Sequence, residues 1–217
     1  MRRVLDTLAA LYPEARTELR HQNPWQLLVA TILSAQCTDR RVNLITPRLF
    51  AVYPDARALA AAPIEAVEAL IRDCGLYRTK ARNLLATARI VAEEYGNAVP
   101  EDPAALLRLP GVGRKTANVV AANAFDRPAL AVDTHVFRVA HRLGWARAKT
   151  AAETERELTA LIPRRQWNAA HHRLIQHGRQ VCRARRPACE RCAVARWCPK
   201  VGVATARDLL PSPAKKP

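Results

Sequence analysis

A short glycine-containing turn between two apolar segments constrains the fold of this chain more than any other feature. It reads Leu-Pro-Gly-Val-Gly at residues 109–113 and leads directly into a helix-like segment at residues 114–125. Glycine lets main-chain N–H groups approach a phosphate without hindrance from Cβ, and a helix N-terminus adds partial positive charge there. The glycine spacing excludes a Walker loop, G-x-x-x-x-G-K-[ST]. The turn predicts a phosphate-binding hairpin, although similar turns also join helices without binding any ligand.

Lys115, in the first turn of the second helix, is a candidate nucleophile. The chain contains 29 arginines but only six lysines, so a plain positive charge here would ordinarily be an arginine. Lysine differs because its amine can lose a proton and attack an electrophilic carbon. The alternative role is to neutralise a phosphate beside the glycine turn, which is common for such a charge.

Asp133 is the second candidate for chemistry. It lies in the segment Ala-Val-Asp-Thr-His-Val-Phe-Arg at residues 131–138, where Asp before Thr-His is a good helix N-cap. A carboxylate at a helix start can also accept a proton or oppose a developing positive charge. Lys115 and Asp133 lie at the starts of consecutive long helices, so we expect both to face one cleft. Such a pair in a basic groove suits attack on a sugar C1′ carbon.

The composition predicts an all-α protein with a polyanionic partner. Long periodic segments of Leu, Ala, Val and Ile alternate with short links that contain proline, and Gly is sparse. The 35 basic against 19 acidic residues give a net charge of +16, which favours nucleic acid over an acidic membrane surface. The sequence shows no apolar run of about 18 residues and no signal-peptide core, so we expect an intracellular protein.

Helical periodicity and breaking residues define the expected elements. After a first segment broken at Pro13, helices are predicted near 24–36, 40–52, 55–62, 63–73, 78–95, 103–109, 113–125, 134–144, 149–162 and 167–182. The segment from Asn23-Pro24 onward is apolar on nearly every face, which predicts a central buried helix. Judged by residue type and position alone, Gln36 is a polar residue at the end of that helix and Asp39 is the N-cap of the next one. Leu76, in a basic turn, is expected to staple two helices or to enter a base stack as a wedge.

Four of the six cysteines predict a metal centre. Cys37 and Cys74 fall inside apolar helical segments and are expected to be inert buried thiols. The others follow the spacing C-x6-C-x2-C-x5-C, which in a reducing compartment indicates a metal site rather than disulfides. Zinc and an iron–sulfur cluster both remain open, and the single short C-x2-C knuckle favours the cluster. The four residues are Cys182, Cys189, Cys192 and Cys198.

Taken together, these motifs resemble the endonuclease III family of helix-hairpin-helix DNA glycosylases, over residues 4–199. The resemblance rests on the turn and the Arg-Lys-Thr-Ala-Asn-Val-Val that follows it, on Val-Asp-Thr-His, and on the cysteine spacing. The segments Leu-Ser-Ala-Gln at 33–36, with Thr38 and Asp39, and Gly-Leu-Tyr at 75–77 match as well.

The resemblance implies a bifunctional glycosylase and abasic-site lyase acting on oxidised pyrimidines in double-stranded DNA. Lys115 would form a Schiff base with C1′ and Asp133 would assist, while the four cysteines would hold a structural [4Fe–4S] cluster. Gln36 would fill the gap left by the extruded nucleotide, and Leu76 would wedge between bases. The further DNA-contacting residues would be Gly111, Val112, Gly113, Arg114, Arg183, Arg185 and Arg186.

The resemblance also implies two helical domains in a monomer located in the cytoplasm with the nucleoid. A six-helix barrel with the hairpin would span residues 17–127, and residues 1–16 with 128–200 would form a terminal domain carrying the cluster loop at 182–198. Residues 201–217 would be a flexible tail. Three rival interpretations are a monofunctional mismatch glycosylase, a non-catalytic DNA-binding protein with a redox-sensing cluster, and a zinc-containing structural DNA binder. A mismatch glycosylase would lack the lysine at 115.

Overall fold

The computed structural model describes residues 1–203, which form helices joined by turns. No β-strand occurs within this range, so the predicted all-α class is confirmed. The tail predicted to be flexible comprises residues 201–217, and its part from residue 204 onward lies outside the described residues.

Eleven α-helices occur in the described part of the chain. They are α1 (Arg2–Leu11), α2 (Pro24–Leu33), α3 (Asp39–Val52), α4 (Ala56–Ala60), α5 (Ile64–Ile71), α6 (Tyr77–Glu94), α7 (Pro103–Leu107), α8 (Arg114–Ala124), α9 (Thr134–Arg142), α10 (Ala151–Leu161) and α11 (Trp167–Gln180). Three short 3-10 helices lie at Arg164–Gln166, Cys189–Arg191 and Ala195–Trp197.

The chain divides into two compact units. One contains Ala15–Ala131 and Pro163–His172, and therefore holds α2 to α8. Among the described residues, the other contains Met1–Glu14, Val132–Ile162 and residues 173–203, with α1, α9 and α10. The second unit is assembled from three separate stretches of sequence, whereas the first is almost continuous.

Helix α2 is the centre of the core of the first unit, as its apolar sequence predicts. It begins at the expected cap, because the Asn23 side chain accepts the Gln26 N–H at 2.9 Å and Pro24 occupies the first turn. Every residue from Leu27 to Leu33 is buried, and the helix packs against α3, α6 and α8. Such all-round burial explains why its apolar residues show no stripe.

The sequence-based prediction for the start of α3 is wrong by one residue. Thr38, rather than Asp39, is the N-cap, and its hydroxyl accepts the Arg41 N–H at 3.3 Å. Asp39 lies in the first turn instead, where a negative charge interacts favourably with the helix dipole. Both residue types suit either position, so the local sequence does not decide between them.

Within residues 1–203, no helix combines the length and the apolar character that crossing a membrane requires.

Candidate functional site

The glycine turn between α7 and α8 is held in place by buried contacts on its inner side. The side chains of Leu109 and Val112 are buried in the core, and the Val112 N–H donates to the Leu109 carbonyl at 3.1 Å. The hydroxyl of Thr87, fully buried on α6, donates to the Pro110 carbonyl at 2.8 Å. Of the predicted contact residues, Val112 therefore anchors the turn with its side chain.

The two glycines of this turn differ in whether the fold requires glycine at their positions. Gly111 has a φ of +79°, and a Cβ built there would lie 3.0 Å from the Asn83 amide nitrogen, so both backbone conformation and space favour glycine. Gly113 has a φ of −89°, and a Cβ there would meet nothing within 4 Å. The fold by itself thus does not require glycine at 113, whereas a closely approaching phosphate would.

Lys115 is the second residue of α8 and is exposed, as is the neighbouring Arg114. The N-cap of α8 is Gly113, which has no side chain to accept the N–H groups of the first turn. A helix N-terminus of this kind attracts anions. The exposed amine therefore lies beside a surface suited to phosphate.

Asp133 is the N-cap of α9, so the capping interpretation is confirmed. One carboxylate oxygen, Oδ1, accepts both the His135 and the Val136 N–H, each at 2.8 Å. The cap does not use Oδ2, and the side chain is only half-buried. Capping therefore fixes the orientation of the carboxylate and does not prevent a second, chemical role. Lys115 and Asp133 belong to different compact units.

Two short turns present the other predicted DNA-contacting side chains. Gln36 follows the end of α2 with a φ of 53° and is exposed, and Leu76 precedes α6 with a φ of 59° and is 59% exposed. Leu76 therefore does not staple two helices, and the half-buried Tyr77 packs against the core instead. Left-handed backbone at non-glycine residues is uncommon and is often associated with functional sites.

The expectation that Cys37 and Cys74 lie inside helices is wrong. Cys37 lies in the turn after α2 and is half-buried, and Cys74 lies in the turn before α6 and is buried. Helix α2 ends at Leu33, three residues before the apolar pattern does.

All four predicted metal ligands line one cavity of about 390 Å³ that includes its open mouth. Apolar side chains form most of the remaining lining, together with Arg142, His177 and Lys200. Burial raises the pKa of the Cys192 and Cys198 thiols. Among residues 1–203, no three His, Cys, Asp or Glu side chains are arranged to hold a single metal ion. Four thiols around a shared, largely apolar cavity fit the donor set of an iron–sulfur cluster, which requires them as thiolates.

Two arginines one helical turn apart on α9 hold the cysteine loop. Arg142 donates to the Arg183 carbonyl at 2.6 Å and to the Ala184 carbonyl at 3.0 Å. Arg138 donates to the carbonyls of Cys182 at 3.0 Å and Gly178 at 2.9 Å. These bonds fix the basic loop from its inner side. The basic side chains of this loop are exposed, and they are those of Arg183, Arg185 and Arg186.

Sequence reasoning did not identify Arg138, Arg142 or the buried Lys80 as important. The i, i+4 spacing of the two arginines is the available signal, since it places both on one face of α9. Lys80 is 4% exposed, and its amine donates to the Leu33 carbonyl at 2.8 Å. The available signal is its register, because Lys80 lies on the same face of α6 as the buried Leu84 and Ala88.

Comparison with known proteins gives consistent matches over most of the chain. A sequence model of the HhH-GPD superfamily, described as base excision DNA repair proteins, matches residues 29–164. Endonuclease III of Synechocystis sp. is 50% identical over 197 residues, which is 90% of each chain. Endonuclease III of Bacillus subtilis is 46% identical over 195 residues, which is 89% of each chain.

A solved structure shows the same fold. It is that of a trapped endonuclease III–DNA covalent intermediate, which superposes with a TM-score of 0.87 at 46% identity. The alignment covers 92% of this chain and 94% of that one.

Proposed function

Because this chain belongs to the endonuclease III family of the HhH-GPD superfamily, we propose that Lys115 and Asp133 carry its catalysis. The chain is a DNA glycosylase and abasic-site lyase of base excision repair, and its partner is double-stranded DNA with damaged bases. The observation that carries the residue assignment is the exposed Lys115 amine at the N-terminus of α8, directly after the glycine turn.

In this proposal the Lys115 amine attacks C1′ of a nucleotide swung out of the duplex. The bond from Nζ to C1′ forms as the bond from C1′ to the base breaks, and the base leaves with a proton. Opening of the sugar ring gives a Schiff base. Loss of a C2′ proton then expels the 3′ phosphate by β-elimination, and water releases the enzyme.

Asp133 opposes the positive charge that develops on the sugar as the base departs. A fixed carboxylate stabilises such a charge without having to reorganise during the reaction. The two bonds from the His135 and Val136 N–H groups to Oδ1 supply that fixed orientation. Oδ2 is then the oxygen that faces the sugar or accepts a proton.

The remaining residues position the DNA. Gly111, Gly113 and Arg114 contact the phosphate backbone at the hairpin, and the exposed arginines of the cysteine loop contact it elsewhere. Gln36 fills the space of the extruded nucleotide, and Leu76 wedges between bases, which suits their exposed, left-handed turns. The substrates are oxidised, ring-saturated pyrimidines such as thymine glycol, and the enzyme works where chromosomal DNA lies, in the cytoplasm.

The four cysteines hold a [4Fe–4S] cluster in this proposal. Bound there, the cluster supplies a covalent crosslink that stabilises the loop rather than a step of the reaction. Arg138 and Arg142 orient the same loop through its carbonyls, so the basic side chains are presented from a rigid base.

Borohydride trapping on a duplex with one abasic site tests the nucleophile. Reduction of a Schiff base leaves protein and DNA covalently joined, so the wild type should give a stable adduct and Lys115→Gln should give none. The exposed Lys149 supplies a matched control, since Lys149→Gln removes the same charge from the other compact unit and should still be trapped. An undiminished adduct with Lys115→Gln would exclude Lys115 as the nucleophile.

A further inference from the structure

Three chemically reactive side chains lie together behind the turns that carry Gln36 and Leu76. The Lys80 amine donates to the Cys74 sulfur at 3.1 Å and to the Leu33 carbonyl at 2.8 Å. The Cys74 thiol donates to the same carbonyl at 3.2 Å. Cys37 lies near enough to raise the pKa of the Cys74 thiol. None of these three side chains has a part in the catalysis proposed above.

The main chains of the two turns also approach each other closely at this point. A Cβ built on Gly75 would lie 3.5 Å from the Gln36 carbonyl oxygen. Cys37 directly follows Gln36, and Cys74 directly precedes Gly75, so the two cysteines flank this contact. Two cysteines can be joined only where their Cα atoms lie within about 7 Å of each other, so neighbouring turns are a precondition.

The two thiols differ in access, which sets an order for their reactions. Cys74 is 1% exposed and Cys37 is half-buried, so a dissolved oxidant reaches Cys37 first. Burial raises the pKa of the Cys74 thiol, while the neighbouring Lys80 ammonium acts in the opposite direction by stabilising the thiolate. A buried thiol beside a fixed ammonium is suited to be the second, resolving partner.

We propose that Cys37 and Cys74 are a redox modification site, and that they form a reversible disulfide which ties the Gln36 turn to the Leu76 turn. The oxidant is a low-molecular-weight disulfide of the glutathione type. The Cys37 thiolate attacks it, forming a mixed disulfide and releasing one thiol. The Cys74 thiolate then attacks the Cys37 sulfur and releases the second thiol. Both protons leave with the released thiols, so two cysteine thiols are oxidised and one small disulfide is reduced.

Closing this bond removes the hydrogen that Cys74 donates to the Leu33 carbonyl, and Lys80 remains the donor there. The bond also links the two turns covalently beside the contact between Gly75 and Gln36. Insofar as Gln36 and Leu76 enter DNA, which rests on the proposed function, the modification acts at the DNA-probing surface and leaves Lys115 and Asp133 untouched.

Peptide mapping of the intact, cluster-containing protein tests this proposal. The protein is equilibrated with glutathione buffers of increasing disulfide content, free thiols are blocked with N-ethylmaleimide, and the peptides are identified by mass spectrometry. The expected product is a peptide pair joined through residues 37 and 74, lighter by two hydrogen atoms and restored by dithiothreitol.

Two serine variants separate the steps. Cys74→Ser should stop at the mixed disulfide, with one glutathione retained on Cys37, and its hydroxyl can still donate to the Leu33 carbonyl. Cys37→Ser should react at neither position, because Cys74 is buried. Glutathione that stays on Cys37 of the wild type, or a bond from Cys37 to a cysteine of the cluster loop, would overturn the proposal. Borohydride trapping of the reduced wild type reports on the proposed function separately.

Discussion

Replacing Asp133 separates its role as a cap from its role in chemistry, because the cap uses only one carboxylate oxygen. Asp133→Asn keeps an oxygen that can accept the N–H groups of His135 and Val136, and it removes the negative charge. Asp133→Ala removes both the acceptor and the charge. The two variants should therefore differ in stability and agree in their loss of excision.

The expected sizes follow from the two hydrogen bonds and the helix dipole. Losing an N-cap costs about 1 kcal/mol of folding free energy, and losing a negative charge at a helix N-terminus costs up to about 1 kcal/mol more. Asp133→Ala should thus lower stability by about 1–2 kcal/mol, which is roughly 2–8 °C in Tm for a chain of this size. Asp133→Asn should lose less than about 1 kcal/mol.

Excision should respond in a different way. A carboxylate that opposes charge on the sugar, or that takes up a proton, contributes roughly 10²–10⁴-fold to the rate. Single-turnover excision of thymine glycol from a duplex should therefore slow by at least about 100-fold in both variants. DNA affinity, measured by fluorescence anisotropy, should be retained in Asp133→Asn.

Asp55 provides the matched control for this experiment. It is the N-cap of α4 and accepts the Ala58 N–H at 2.8 Å, so it has the same capping role at a position with no proposed chemistry. Asp55→Asn should excise at the wild-type rate. If Asp133→Asn also excised within a few-fold of the wild type, the carboxylate would be a cap only.

Three further perturbations test the hairpin, the core histidine and the basic loop. Gly111→Ala should lower the free energy of unfolding in urea by about 1–2 kcal/mol because of the positive φ at this position. Gly113→Ala should fold normally and bind DNA less tightly than the wild type. An affinity equal to that of the wild type would argue against close phosphate contact at 113. Burial lowers the pKa of His172 to about 3, below its ordinary value of about 6.5. Between about pH 3 and pH 6.5, only the unfolded chain therefore binds a proton at His172. The free energy of unfolding then falls as the pH drops below about 6.5, by up to about 1.4 kcal/mol per pH unit. His172→Gln should flatten that dependence in urea titrations, and an unchanged slope would refute it. Replacing the exposed loop residues Arg183, Arg185 and Arg186 with Gln should weaken binding to damaged and undamaged duplexes alike. The slope of log affinity against log salt concentration should fall by about three. A loss of affinity confined to damaged DNA would contradict this role.

Features set by neighbouring residues could be predicted from sequence. The cap at Asn23-Pro24 places the start of α2, and the glycine turn places the junction of α7 and α8. The candidate nucleophile and carboxylate follow from the residue types at two helix starts. In each case the physical cause acts within about one helical turn, so the local sequence contains all the information needed.

The end of α2 shows what the sequence leaves open. The apolar pattern continues beyond Leu33, but the helix does not, because the Leu33 carbonyl accepts hydrogen bonds from Lys80 and Cys74. A continued helix would have used that carbonyl for the N–H of Cys37. The Cys37 N–H donates to the Ser34 carbonyl instead, and Gln36 adopts a left-handed conformation. The donors are more than 40 residues away in sequence, so only folding brings them to this carbonyl.

The helices and the caps at Asn23 and Asp133 depend on contacts between near neighbours, so the amino-acid sequence was sufficient to predict them. Only the folded structure shows that Arg138 and Arg142 hold the cysteine loop and that the Lys80 amine donates to the Leu33 carbonyl. Hydrogen bonds between distant segments carry no periodicity in the chain, and their partners become definite only when the core has packed.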